Sequence, residues 1–190
     1  LLDSSSVEIS RREIEKFLFD KSFFRAKVKS NVEVKNKKAY ITFIAEPGES
    51  FKINEFTYDI ADSAVKNLYE ENRPDFTRIT EGTRYDGDSL RYESKEIFNL
   101  LQRNGYYDYK EQYVRFDVDT NLYSGAANLK MFLENPANQS SHKVYVLNNT
   151  SLLIRNSEGE TPGTPDTAVL DSQYFFKDYS HRFDANDVFR

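Results

Sequence analysis

The chain has 190 residues, of which 38% are hydrophobic and 30% charged, and this composition is typical of a folded protein rather than a disordered one. Its net charge of −5 argues against nucleic acid as the main partner, and the absence of cysteine excludes disulfides, zinc–thiolate sites and thiol catalysis. No stretch approaches the ~20 apolar residues of a membrane-spanning helix, and the start "LLDSSSVEIS" lacks the parts of a signal peptide. These features predict either a cytosolic protein or a mature fragment of a longer one.

The first predicted element is a helix. Ser10 and Glu13 form a capping-box pattern, so the helix is expected to begin at Ser10 and to end at Ser22, where a glycine would be a stronger stop. The aromatic pair Phe23-Phe24 follows, and then a predicted hairpin in "AKVKSNVEVKNKKAYITFIAEPG". The apolar face of this helix is predicted to contain Ile14, Phe17 and Leu18.

A longer series of elements follows over residues 50–137. "SFKINEFTYDI" predicts a strand, "DSAVKNLYEEN" a short helix, and "RPDFTRITEGTRYDG" a loop. A long helix capped by Asp88 or Ser89 is predicted to end at Gly105, and Tyr106-Tyr107 follow it. The hairpin after it alternates apolar and polar residues, with Val114, Phe116 and Val118 on one strand and Leu129, Met131 and Leu133 on the other.

The helix, aromatic pair and hairpin occur twice. The two copies are offset by 83 residues at the helix (Ile14 and Ile97; 97 − 14) and at the aromatic pair (Phe24 and Tyr107; 107 − 24). The offset increases to 89 at Pro47 and Pro136, and to 91 at Ile53 and Val144. We therefore predict a partial unit at 1–49 with only the second helix and hairpin, a complete β-α-α-β-β unit at 50–137, and the start of a further unit at 138–190. This last part is predicted to hold the strand "HKVYVLNNTSLLI", a polar loop over 155–167, and a strand and helix start in "YFFKDYSHRFDANDVF". The chain is expected to be a fragment of a tandem array.

The sequence predicts no catalytic residue, metal site or cofactor. His142 and His181 lie in different segments, Asp117 and Asp119 fit a solvated strand face, and "YDGDSLRYE" lacks the ligand spacing of a calcium loop. The pair Tyr106-Tyr107 has two interpretations. It could contact a client, or one ring could pack between helix and sheet while the other covers the turn. The phenylalanines of the first copy favour packing, because they lack a polar group.

"YDGDSLRYESKEIFNLLQRNGYYDY", the strand pair after it and the link "AEPGESFKINEF" resemble the POTRA domain of BamA/TamA-type outer-membrane assembly proteins, with most similarity to the TamA-like, lipoprotein-type members. The resemblance implies an α+β fold of tandem POTRA-like units, each with a small three-stranded mixed sheet and two helices on one face. It also implies a non-enzymatic periplasmic module on a chain that ends in a membrane β-barrel.

The implied partners are unfolded outer-membrane proteins or accessory assembly subunits, with no nucleic acid and no small-molecule substrate. The implied role is protein assembly, translocation and membrane insertion, as in the surface-antigen type of outer-membrane protein. The alternative is a POTRA-type module of a secretion transporter or division protein that docks one fixed partner.

An edge strand of such a sheet can accept an extended peptide as an added strand. The candidate edges are the strands that follow the two helix ends, and the second is expected to be more receptive because the first carries lysines that oppose pairing: Lys27, Lys29, Lys35, Lys37 and Lys38. The candidate residues are Val28 and Val32 on the first edge and Tyr109, Gln112, Tyr113, Val114, Arg115 and Phe116 on the second.

Overall fold

The structure, a computed structural model, describes residues 4–120, 125–155 and 163–189. The chain divides into two compact units, residues 1–144 and 145–190. The first contains α1 (Ser4–Asp20), β1 (Lys27–Lys35), β2 (Lys38–Glu46), β3 (Lys52–Ile60), α2 (Ser63–Phe76), α3 (Gly87–Arg103), β4 (Val114–Asp119) and β5 (Ala126–Leu133). The second contains β6 (Thr150–Ile154), β7 (Asp166–Leu170), β8 (Tyr174–Asp178) and α4 (Ala185–Val188). In these described ranges, no helix is both long enough and apolar enough to cross a membrane.

The first repeat, residues 4–46, consists of α1 and the β1–β2 hairpin. Its helix begins at Ser4, so the predicted start at Ser10 is wrong: the Ser10 hydroxyl donates within the helix to the Ser6 carbonyl at 2.9 Å. Charged pairs along the helix provide support, since Arg11 donates to Glu8 at 2.8 Å. Hydrogen bonds from Arg11 and Arg12 lower the pKa of Glu8 to about 2.

The hairpin turns at Asn36 and Lys37, whose φ angles of 53° and 62° fit the two-residue turn that matches strand twist. Pairing runs from Lys35 opposite Lys38 to Lys27 opposite Glu46. Helix α1 packs against β1, where Val28 is buried, and most of the hairpin beyond that point is exposed.

The second repeat, residues 52–133, has the predicted order β-α-α-β-β. Its sheet has the order β3-β5-β4, with β5 parallel to β3 and antiparallel to β4. Helix α2 begins after Asp62, whose carboxylate accepts from the Ala64 N–H at 2.9 Å. The cap of α3 is Asp86 rather than the predicted Asp88 or Ser89, because the Asp86 carboxylate accepts the Asp88 N–H at 3.0 Å.

A core of buried side chains lies between the two helices and the sheet. Its most buried side chains come from both helices and from the central strand: Val65, Tyr69, Ile97, Leu101, Met131 and Leu133. The carboxylate of Glu93 is also buried there, and it accepts a hydrogen bond from the Tyr69 hydroxyl at 2.7 Å. Burial raises the pKa of Glu93. Two helices that share a core with one mixed sheet make this an α+β fold, as predicted.

The end of α1 is fixed to the second repeat. The ring of Phe24 packs edge-to-face against Phe51 and Tyr85, with centroids 5.2 Å and 4.8 Å away. The Lys21 ammonium lies 2.9 Å from a carboxylate oxygen of Asp86 and 2.6 Å from one of Asp88. Aromatic packing and ion pairing therefore act together at this junction.

The second unit contains a sheet of order β6-β8-β7, with β8 parallel to β6 and antiparallel to β7. The strand predicted from His142 begins only at Thr150, because β8 pairs with residues 150–154 alone. Asp166 and Thr167, predicted to end a loop, open β7 instead, where they pair with β8; part of that loop, residues 156–162, lies outside the described residues. The strand and helix predicted in the last segment are present as β8 and α4.

Candidate peptide-binding edge

Helix α3 ends in a left-handed turn at Gly105, whose φ is 85°. The Tyr106 N–H donates to the Leu101 carbonyl at 3.0 Å, and the Gly105 N–H donates to the Gln102 carbonyl at 3.2 Å. This pair of bonds defines the Schellman motif, in which glycine is favoured because it lacks a Cβ.

The first repeat ends its helix in the same way without a glycine. Ser22 has a φ of 80°, and its N–H donates to the Phe19 carbonyl at 3.1 Å. The Phe23 N–H donates to the Leu18 carbonyl at 2.9 Å. Each of these residues lies 83 positions before its counterpart in the second repeat, so the predicted equivalence of the two helix ends is confirmed.

The two tyrosines after Gly105 differ in burial. Tyr106 packs into the core, as the packing interpretation predicts, whereas 74% of Tyr107 is exposed. The side-chain amide of Gln102 donates to the carbonyls of both tyrosines, at 3.2 Å and 3.1 Å. The loop that leads to β4 is therefore held by side-chain bonds from the end of α3.

Tyr109, the first residue of the predicted edge, lies outside the strand. Its ring is buried and lies near Phe98, Tyr113 and His142, with centroid distances of 6.3, 5.7 and 5.3 Å. Burial raises the pKa of its hydroxyl. This aromatic packing keeps Tyr109 in the core, so the prediction that the strand begins here is wrong.

Gln112 and Tyr113 form part of a single 3₁₀ turn, Glu111–Tyr113, rather than of the strand. The Tyr113 N–H donates to the Lys110 carbonyl at 3.1 Å, and the Val114 N–H donates to the Glu111 carbonyl. Strand β4 therefore begins at Val114, five residues later than predicted.

The pairing of β4 with β5 determines which main-chain groups face outward. The Glu134 N–H donates to the Tyr113 carbonyl at 3.0 Å, so these two residues form a hydrogen-bonded pair. The antiparallel pairing of β4 with β5 continues in the register of this pair. Because alternate residues face the partner strand, Arg115 and Asp117 point their main-chain groups to β5. Those of Val114, Phe116 and Val118 point to the outer edge. Val118 was not among the predicted residues. Its alternation with Val114 and Phe116 in the sequence already indicates that the main-chain groups of these three residues face the same edge.

The other edge of the sheet is partly covered. The Ile53 N–H donates to the Thr83 carbonyl at 2.8 Å, and the Ile53 carbonyl accepts from the Gly82 N–H at 2.7 Å. Further along β3, the Phe56 N–H donates to the Glu81 carboxylate at 3.1 Å. The loop before α3 thus occupies outer main-chain groups of β3 between Ile53 and Phe56, which leaves β4 as the more accessible edge of this sheet.

The candidate edge of the first repeat is also partly occupied. The Val28 N–H donates to the Glu15 carboxylate at 2.9 Å, and the Val28 carbonyl accepts from Arg11 at 3.2 Å. The bond from Val28 lowers the pKa of Glu15. Val32, four residues further along β1, is exposed. These contacts close the start of β1 to a further strand.

A cleft of about 410 Å³ lies beside the start of β4. It is lined by the 107–110 loop, Tyr113, Pro136, Gln139, His142 and Lys143. His142 is held in place because its main-chain N–H donates to the Asp62 carboxylate at 2.7 Å, and burial lowers the pKa of its imidazole. The volume lies within the range of ligand pockets, and the aromatic lining is suited to a side chain of a peptide.

The solvent side of the sheet carries paired charges. Arg115 forms an ion pair with Asp117, and its guanidinium lies 4.2 Å from the centre of the Phe132 ring. Asp117 and Asp119 are both exposed, as expected for a solvated face. In the part of the chain that the structure describes, no group of three or more His, Cys, Asp or Glu residues could hold a metal ion.

No protein-family model matches the chain, and no curated protein does. Among solved structures, it is similar to BamA from Haemophilus ducreyi lacking POTRA domains 1–3, with 16% identity over 72% of this chain and 24% of that one, at a TM-score of 0.46. It is also similar to POTRA3–5 of Haemophilus influenzae BamA (18% identity, 69% and 48% coverage, TM-score 0.43).

A third similar structure is POTRA1–3 of Omp85 from Anabaena (19% identity, 78% and 52% coverage, TM-score 0.33). The chain spans about a quarter to a half of these proteins' lengths. The sequence identities and the TM-scores of these matches are low.

Proposed function

We propose that the chain is a periplasmic POTRA-type module of an outer-membrane β-barrel assembly or translocation factor of the TamA-like, lipoprotein type. In this proposal it binds extended segments of unfolded outer-membrane proteins, or of accessory assembly subunits, by adding a strand to β4. The observation that carries the proposal is the outer edge of β4, where Phe116 and Val118 present main-chain groups with no partner among the described residues.

Strand addition suits a protein that must accept many sequences. The hydrogen bonds are made between main chains, so affinity depends little on which side chains the client carries. Strand β4 has six residues, or ~20 Å, and this length offers only a few hydrogen bonds to a client. Its exposed charges at Arg115, Asp117 and Asp119 oppose indiscriminate association of the edge. The cleft beside Val114 provides a place for one client side chain.

The main-chain donor of Val118 offers the sharpest test. Proline at Val118 removes an outward N–H, whereas proline at Arg115 would remove a bond to β5 and damage the sheet itself. The matched control is Val118→Ala, which loses side-chain packing but keeps the N–H. The probe is a labelled ten-residue peptide of alternating apolar and polar residues, the pattern of a membrane-barrel strand, and binding is measured by fluorescence anisotropy.

We expect V118P to weaken peptide binding by about tenfold, since a tenfold change corresponds to ~1.4 kcal/mol and one lost hydrogen bond is worth about that much. V118A should bind the peptide nearly as well as the native chain. Equal binding by the native chain and V118P would refute strand addition at β4. Photo-crosslinking from Asp117 in the full-length protein in cells then separates the two classes of function. Many client bands support assembly, and one stoichiometric band supports a module that docks a fixed partner.

A further inference from the structure

The cleft beside the start of β4 is positively charged, although the net charge of the chain is −5. Lys110 and Lys143 both line the cleft and are exposed, and neither ammonium group forms an ion pair or a hydrogen bond with a described residue. Among the described residues that line it, only Asp108 is acidic, and His142 is neutral at neutral pH because burial lowers the pKa of its imidazole. The two lysines therefore give the cleft a local charge that attracts an anion.

The lining also contains a hydrogen-bond donor. Tyr109 lines the cleft, its side chain is 3% exposed, and in the described part of the chain its hydroxyl has no hydrogen-bond partner. Burial raises the pKa of this hydroxyl, so it stays protonated and can donate. A buried hydroxyl that lacks a hydrogen bond is unfavourable, and a carboxylate oxygen is a strong acceptor for it. The cleft thus combines two cations with a hydroxyl donor.

The walls of the cleft are largely aromatic. The rings of Tyr113 and His142 lie 5.3 Å apart, measured between their centres, and the exposed Tyr107 also lines the cleft. Aromatic walls of this kind pack against the methylene groups of a charged side chain while its charged end stays close to water and to its partners. A glutamate side chain, with two methylene groups and a carboxylate, has the matching chemistry.

The cleft lies at the end of β4 where an added strand would leave the sheet. Lys110 and Tyr113 belong to the segment directly before Val114, the first residue of the strand. A client segment that runs antiparallel to β4 passes its C-terminal residues over this segment, and antiparallel pairing is slightly more stable than parallel pairing. The residues that follow the paired part of such a client therefore reach the cleft.

From this juxtaposition of charge, donor and strand end, we propose that the cleft binds acidic side chains, glutamates above all, in the client residues that follow the part paired with β4. Lys110 and Lys143 pair with the carboxylates, and the Tyr109 hydroxyl donates to one of them. The inference rests on strand addition at β4, the function proposed above, and it names the chemical class of client that this edge selects.

Peptides that differ only in charge test the cleft. Each contains the alternating ten-residue segment described above, followed by Gly-Glu-Glu in one peptide and Gly-Gln-Gln in the other, and blocked termini remove the terminal charges. By fluorescence anisotropy at low ionic strength, the Glu peptide is expected to bind about tenfold more tightly, the combined effect of two exposed ion pairs and one hydrogen bond. The net charge of the chain opposes an acidic peptide, so such a gain indicates a local positive site.

The position of the glutamates provides a further control. A peptide with Glu-Glu-Gly before the alternating segment should bind no more tightly than the Gln peptide, because in the antiparallel arrangement that end leaves the sheet at the acidic Asp119. The advantage of the Glu peptide should also shrink as the salt concentration rises, since salt screens exposed charges.

Variants of the chain identify the groups responsible. Lys110→Gln and Lys143→Gln should each weaken binding of the Glu peptide by about two- to threefold and leave binding of the Gln peptide unchanged. The matched control is Lys16→Gln, because Lys16 is exposed on α1 and does not line the cleft, so the variant changes only the net charge. Tyr109→Phe keeps the ring and removes the hydroxyl, so it should weaken binding of the Glu peptide by about threefold without lowering the melting temperature.

The two proposals fail separately. Equal binding of the Glu and Gln peptides by the native chain would overturn the acidic preference and leave strand addition intact. A Glu preference that persists unchanged in both K110Q and K143Q, or at high salt, also overturns it, because the lysines are then not the partners. Binding of the Gln peptide that V118P does not weaken refutes strand addition, whatever effect the glutamates have.

Discussion

In the first repeat the hairpin packs against one helix, whereas in the second the equivalent hairpin packs against two helices and pairs with a third strand. The helix ends themselves are alike, with the same hydrogen bonds and the same left-handed residue. The hydrogen bonding at a helix end can therefore be the same in both repeats although the tertiary packing around it differs. In the second repeat this packing covers part of β3 and leaves β4 as the more accessible edge of the sheet.

The largest expected difference between the repeats is in core packing. Leu101 is fully buried, and its counterpart 83 residues earlier, Leu18, is only half-buried. Leu101→Ala should lower the free energy of unfolding by 2–5 kcal/mol, roughly the cost of a buried cavity, and Leu18→Ala by only about 1 kcal/mol. Native-state hydrogen exchange at the amides of α3 and α1 measures both. Equal losses at the two sites would mean that the first repeat is as well packed as the second.

Substitution of the left-handed residue at each helix end gives the next largest effect on the free energy of unfolding, with opposite signs in the two repeats. Gly105→Ser forces a side chain into left-handed backbone and should cost about 1–2 kcal/mol. Ser22→Gly should stabilise the chain by about 1 kcal/mol, because it removes that strain and a buried hydroxyl with no hydrogen-bond partner in the described residues. Urea denaturation of the pair provides the comparison. A destabilised S22G would show that the serine contributes a contact that outweighs its strained backbone.

The smallest effect at neutral pH is expected at Glu93, whose counterpart in the first repeat is the exposed Ser10. Its pKa is raised by burial, so the folded state holds the proton more tightly than the unfolded state. The contribution of Glu93 to the free energy of unfolding is fully present below the ordinary pKa of ~4.3. It is lost as the pH rises through the higher pKa that Glu93 has in the folded state. Glu93→Gln should change stability by less than about 1 kcal/mol at neutral pH, because lost hydrogen bonds and relieved burial of charge oppose each other.

The pH profile is the informative measurement for Glu93. Relative to E93Q, the native chain should lose free energy of unfolding between acidic and neutral pH, whereas Glu71→Gln, a change at an exposed position of α2, should follow the native chain throughout. Parallel profiles for the native chain and E93Q would show that Glu93 keeps its ordinary pKa in the folded protein.

Sequence alone determined the elements whose signals are local. Apolar alternation identified β4 and β5, the helical period identified α3, and the recurrence of an aromatic pair after a helix end revealed the two repeats. These patterns arise from side chains a few residues apart, so they survive without knowledge of the fold. The β-α-α-β-β order, and with it the α+β class, followed from them.

Only the tertiary structure decided where strands begin and which edges are open. Tyr109 and Tyr113 are of a residue type that is common in strands. Their rings pack with His142, which lies thirty-three and twenty-nine residues away, and this packing turns the backbone before Val114. Residues 142–149 look equally strand-like, yet β8 pairs only from Thr150. A strand needs a partner to exist, and its partner lies far along the chain. For the same reason the open edge of β4 became visible only when the other strands of its sheet had been paired.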